Sequence, residues 1–83
     1  MIQSRKIRHF LAIAEHLNFT AAATQLNISQ PALSRSVKHL EEQLGVPLLE
    51  RLPTGVVLTR YGEILARRTR LMQLDAEHTP VRN

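Results

Sequence analysis

Between Ser29 and Lys38 the chain sets an amide at Gln30, hydroxyls at Ser29 and Ser34, a guanidinium at Arg35 and an ammonium at Lys38, with no acid among them. Leu33, Val37, Leu40 and Leu44 interleave with this set at three- and four-residue intervals, the period of one apolar helix face. With those four turned inward, Gln30, Pro31, Ser34, Arg35 and Lys38 project together on the outer side. A solvated helix with no task carries Glu and Lys, which are better helix formers than Ser and Pro. The side chains present here have another use. Gln pairs with adenine in a major groove, Arg grips guanine through two hydrogen bonds, and Ser reaches a base edge or a phosphate. Lys38, a turn further on, suits a phosphate or a second base. A plain, well-capped helix start accounts for Ser29 and Pro31 equally well, so this stretch alone leaves groove and solvent both open.

The elements that would position these groups follow from local pattern. Ser29 is an N-cap residue, and Pro31 falls in the first turn, where a missing N–H costs nothing. Gly45 ends the run, so a helix is expected over 29–44. Its free N-terminal N–H groups and dipole favour a phosphate near Ser29. Upstream, Thr20-Ala-Ala-Ala-Thr-Gln-Leu predicts a short helix that starts at Asn18 or Thr20 and ends near Leu26. Its alanines admit a second helix closely without loss of helix propensity. Asn27 tolerates the left-handed conformation of a helix end, and Ile28 is an apolar plug for the turn. Ile7, Phe10, Leu11, Ala14 and Leu17 predict a first helix from about Ser4, as N-cap, to Leu17. A short helix, a tight turn and a longer helix make a helix-turn-helix.

After Gly45 the period changes. Leu48-Leu49-Glu50-Arg51 and Val56-Val57-Leu58-Thr59 read as two short strands joined by Leu52-Pro53-Thr54-Gly55, which has Pro and Gly where a β-turn takes them. This predicts a hairpin wing. Thr59 then caps a last helix over 60–74, and the polar tail 75–83, with Pro80, is expected to fray. On the last helix Tyr61, Ile64, Leu65, Leu71 and Met72 form an apolar stripe, with Arg68 beside it. Little core is left for a helix of this length to cover, so the stripe is expected to be a dimer seam. Arg67, Arg68 and Arg70 read as a solvated flank, not a nucleic-acid contact.

Composition agrees with this layout. The 83 residues suffice for one small domain with a marginal core, to which a partner chain would add buried surface. There is no Cys, so neither disulfides nor thiolate–metal bonds staple the fold. Eleven basic and seven acidic residues give a net charge of +4. The sequence pI of about 10.7 lies above the ~9 that suggests nucleic-acid binding. No apolar run is long enough to span a bilayer, and no apolar segment follows the charges of the N-terminus. A soluble cytoplasmic protein is expected.

Catalytic constellations are weak. His9 and His16 stand seven residues apart on one helix and His39 on another, too far apart to share a metal without a further ligand. No Ser, His and Asp set is recognisable as catalytic. Glu41 and Glu42 follow Lys38 at helix-pairing distance and end the positive face. The expectation is therefore no enzyme activity, no metal and no cofactor.

Phe10, Ala14, Phe19, Thr20, Ala22-Ala23, Leu26, Ile28-Ser29-Gln30-Pro31-Ala32-Leu33-Ser34, Leu40-Glu41, Leu44-Gly45, Leu48, Arg51, Leu58-Thr59 and Gly62 together resemble the N-terminal domain of LysR-type transcriptional regulators. The resemblance covers about residues 4–70, and its motifs occur in order and at the right spacing. It implies a mainly α fold: a winged helix-turn-helix of three helices plus a two-stranded wing over 1–59, then a linker or dimerisation helix over 60–74. It also implies sequence-specific binding of double-stranded bacterial promoter DNA, as dimers that pair into tetramers in full-length regulators. Gln30, Pro31, Ser34 and Arg35 would approach the major groove, with Pro31 on a thymine methyl. Lys38, Thr20 and Arg51 would supply backbone contacts, Arg51 towards the minor groove or backbone. The last helix would pack antiparallel on its twin, and the protein would be cytoplasmic and nucleoid-associated when bound.

Three departures stand out. Leu49 occupies a position where the family usually has Phe, and the turn 52–55 supplies no basic residue. Family members also continue into a large effector-binding domain that these residues do not contain; an excised domain and a natural short product both fit. Two other classes remain open on sequence. One is a winged-helix protein-interaction module without DNA binding, and the other a hydrolase fragment using His9 or His39.

Overall fold

Both ends of the two middle helices, and the start of the last, are made by residues able to satisfy what a helix end leaves unpaired. The computed structural model describes the backbone of residues 4–78 and the side chains of residues 5–72. It has helices α1 (Ser4–His16), α2 (Phe19–Leu26) and α3 (Gln30–Leu44), strands β1 (Leu49–Leu52) and β2 (Gly55–Leu58), and helix α4 (Arg60–His78). Asn18 caps α2, its Oδ1 accepting from the Ala21 N–H at 2.8 Å. Ser29 caps α3 in the same way, accepting from Ala32 N–H at 3.1 Å. Asn27 (φ 63°) and Gly45 (φ 76°) close α2 and α3 in the left-handed conformation. The first helix differs from expectation at both ends. Ser4 is already helical, and Leu17 leaves the helix at φ 51° while its N–H still bonds Ile13 O at 2.6 Å.

The core lies where α1, α2 and α3 meet. Phe10, Ile13, Leu33, Leu40 and Leu48 are fully buried, each contributing about 1.5–3 kcal/mol of transfer free energy. Ala22 and Ala23 are buried beside them, which is the close approach their size allows. Leu26, Ile28 and Leu44 pack half-buried against this centre, so Ile28 does fill the turn.

The wing is an antiparallel pair with Leu49 opposite Leu58 and Arg51 opposite Val56, closed by Pro53 and Thr54. Val56 turns into the core and Val57 out of it, the alternation of a half-covered strand. Leu49, the smaller residue at its position, still packs on the core. The hairpin is tied to α3 by Glu41, whose Oε2 accepts from the backbone N–H of Leu48 (2.7 Å) and of Leu49 (3.2 Å). This corrects the expectation of a surface pair with Lys38: the carboxylate serves two backbone donors instead.

Thr59 joins wing to α4. Its hydroxyl donates to Pro47 O at 2.6 Å and accepts from Gly62 N–H at 3.1 Å, while its own N–H bonds Leu48 O at 3.0 Å. Gly62 is required here, because a Cβ at that position would stand 2.2 Å from the Leu48 carbonyl oxygen. The helix continues past the expected end at Leu74 to His78, taking up part of the anticipated tail; residues 79–83 lie outside the described residues.

Candidate nucleic-acid interface

Helix α3 buries Leu33, Val37 and Leu40, which places Gln30, Pro31, Arg35 and Lys38 in the open, with Ser34 half-buried between them. Two further elements deliver side chains to the same face. Gln30 Nε2 donates to Thr20 Oγ1 at 3.2 Å, joining the first turn of α2 to the first turn of α3. Arg51 comes from β1. Its guanidinium carbon lies 3.9 Å from the centre of the Phe19 ring, and its Nη2 donates to Ser34 Oγ. A planar cation over an aromatic face gains electrostatically while keeping its outer N–H groups free.

The surface around these contacts is concave. A depression of about 300 Å³ lies between Thr20, Gln30, Arg51 and the Pro53–Thr54 tip. A second, of about 310 Å³, lies between Ser34, Lys38 and Arg51. Arg35 and Lys38 carry positive charge along the exposed side of α3, where no acid stands between Ser29 and Lys38. All seven side chains expected to meet nucleic acid (Thr20, Gln30, Pro31, Ser34, Arg35, Lys38 and Arg51) belong to α2, α3 and β1, and hydrogen bonds tie Thr20 to Gln30 and Arg51 to Ser34.

A family model for the bacterial regulatory helix-turn-helix proteins, lysR family, matches residues 4–63. The chain belongs to the lysR family. Among curated members it is 50% identical over 73 residues to the SDS degradation transcriptional activation protein of a Pseudomonas species, covering 88% of this chain and 24% of that one. It is 46% identical over 76 residues to the transcriptional regulator XapR of Escherichia coli, covering 92% of this chain and 26% of that one. The chain thus spans about a quarter of the length of these relatives. Among solved structures, the crystal structure of the BenM_DBD/catB site 1 DNA complex matches with TM-score 0.86 and 35% identity over 96% of this chain and 90% of that one. The CbnR_DBD–DNA complex matches with TM-score 0.85 and 37% identity over 98% and 93%. The winged helix-turn-helix is therefore a lysR-family fold in architecture as well as sequence.

In this lysR-family chain the second face of interest is on α4. Gly62 and Ala66 turn inward and are buried, Leu65 is half-buried, and Tyr61, Ile64, Arg68, Leu71 and Met72 are exposed. The fully buried contact of α4 is thus made by its smallest residues, Leu65 packs partly beside them, and the rest of the apolar stripe is left uncovered, Met72 being 67% exposed. A groove of about 250 Å³ runs beside it between Val46, Tyr61, Ile64 and Arg68.

Two of the histidines, both on α1, have side-chain partners on other helices. His9 Nδ1 lies 2.8 Å from Ser36 Oγ across α1 and α3, and burial, aided by Arg5 and Arg8, pulls its pKa below the ordinary imidazole value. His16 Nε2 lies 2.6 Å from Gln25 Oε1. Among the described residues no three His, Cys, Asp or Glu side chains converge on a common point, and no helix is long and apolar enough to cross a membrane. Two participants escaped sequence reasoning. Phe19 is the platform for Arg51, and Glu41 is the anchor of the wing; both are motif positions whose partners lie on another element.

Proposed function

We propose that this chain is the DNA-binding unit of a bacterial transcription regulator, with α3 lying in the major groove of promoter DNA. The observation that carries the reading is the likeness in fold, over nearly the whole chain and at 35–37% identity, to DNA-binding domains of this family whose structures contain DNA. Gln30 and Arg35 read base edges, Ser34 a base edge or phosphate, and Pro31 a thymine methyl. Thr20 and Lys38 hold the phosphate backbone, and the N-terminus of α3 at Ser29 adds its dipole to that contact. The seat of Arg51 on Phe19 and Ser34 supports a backbone contact at the edge of the major groove over a reach into the minor groove. The relatives are transcriptional regulators, which supports a non-enzymatic, cytoplasmic role at the nucleoid.

Two copies pair through Tyr61, Ile64, Leu65, Arg68, Leu71 and Met72 of α4, presenting two copies of α3 to a dyad-related site. In a regulator of the relatives' length, effector binding and tetramer assembly would fall to the remainder of the chain.

Selection of bound sites from random duplexes, followed by binding of the winner across a salt series, tests this reading. One dyad-symmetric site should be enriched, and log affinity should fall linearly with log salt. No enrichment together with salt-insensitive binding would overturn it in favour of a protein-interaction module.

A further inference from the structure

The contact between Thr20 and Gln30 carries more than stability. An exposed hydrogen bond is worth little in water, but inside a groove that excludes water the same bond decides which polar atoms remain unpaired. We propose that Thr20 is a positioning residue that makes Gln30 an adenine reader, by relaying the polarity of the DNA backbone to the Gln30 amide. The inference rests on the DNA-binding reading above, in which Thr20 meets a phosphate.

The Thr20 hydroxyl has one hydrogen to donate and lone pairs to accept with. A phosphate offers acceptors only, so the hydrogen goes to the phosphate and Thr20 faces Gln30 as an acceptor. Gln30 must then turn its Nε2 to Thr20, the arrangement seen at 3.2 Å. One N–H is spent there. One N–H and Oε1 remain, a single donor beside a single acceptor. Adenine presents that complement in the major groove, N7 accepting and N6 donating, whereas guanine presents two acceptors. Without the Thr20 oxygen the amide is free to rotate and offer both N–H groups, which suits guanine. Thr20 therefore sets a base preference without touching a base.

The test uses the selected operator and a set of duplexes substituted at one base pair, the pair whose preference disappears in Gln30→Ala. Wild type should favour adenine over guanine there by roughly 5- to 150-fold, the fold-change of one good bidentate contact. Thr20→Val keeps the side-chain shape and loses the hydroxyl; its adenine-to-guanine ratio should fall towards one. Thr20→Ser should restore the wild-type ratio. Equal weakening of Thr20→Val on both duplexes, with the ratio preserved, would overturn the relay and leave Thr20 as a backbone contact only. Wild-type binding that discriminates at other positions but has no adenine preference at this one would also overturn it, with the DNA-binding reading intact. Absence of any sequence-specific binding by the wild type would instead remove the reading on which it rests.

Discussion

Arg51 and Phe19 form a stacked pair: the guanidinium carbon stands 3.9 Å from the ring centre, and the same group donates to Ser34. A wing residue is thereby held against the first turn of α2 and the second turn of α3. The stack requires a planar cation, and lysine cannot both cover the ring and supply the directed N–H. Arg51→Lys should therefore weaken operator binding about two- to fivefold, the value of ~0.5–1 kcal/mol for an exposed cation–π contact, while the salt slope stays unchanged. Arg51→Ala should also reduce the slope by about one. Anisotropy titrations at several salt concentrations separate the two; an Arg51→Lys protein with wild-type affinity would show that charge alone matters.

Arg35 and Lys38 sit on the same exposed side of α3 but have different expected tasks. Arg35→Ala should cost about 1–3 kcal/mol on the preferred site and relax selectivity at one position. Lys38→Ala should weaken specific and random DNA alike and lower the salt slope by about one. Equal losses on specific and random DNA for Arg35→Ala would contradict its base-reading role.

Gly62→Ala is a test of the junction between wing and α4. Alanine is the better helix former by about 1 kcal/mol, so a surface position would gain from the change. Here the added methyl meets the Leu48 carbonyl oxygen at 2.2 Å, a backbone atom with nowhere to turn. The expected result is a net loss of about 1–3 kcal/mol, seen as a melting temperature lower by at least ~4 °C. Unchanged or raised thermal stability would mean that the helix can move away freely.

The exposed stripe of α4 gives an association test. Ile64 and Leu71 are the positions to change, because Leu65 also packs against the chain's own core. The double variant Ile64→Asp, Leu71→Asp should sediment as a monomer with an unaltered circular dichroism spectrum and should bind a single half-site. A dimer of undiminished stability in sedimentation velocity would place the seam elsewhere.

What the sequence made legible was local. Ser29, Asn27, Gly45 and Thr59 mark helix ends because capping depends on a residue and its immediate neighbours. The outward set on α3 was legible because burial of Leu33, Val37 and Leu40 leaves it no other direction. The contacts that organise the site join different elements: Phe19 with Arg51, Ser34 with Arg51, Glu41 with Leu48 and Leu49. Periodicity names a face and not the partner across it, so it pairs Glu41 with Lys38, its neighbour on the helix. On α4 the apolar stripe points to the outer face, while the most deeply buried positions are Gly62 and Ala66, whose small size weakens their signal in a hydrophobic pattern.

Thr59 bonds Pro47, Gly62 and Leu48 at once, and Gly62 seats α4 directly on the Leu48 carbonyl. No slack segment separates the reading head from the arm that would meet a second copy. Two such molecules joined arm to arm would act as a caliper with its jaws set, the separation of the two α3 helices being a property of the protein and not of its partner. A duplex whose half-sites are spaced otherwise would have to bend or twist to be gripped, and its own stiffness would then enter the choice of operator.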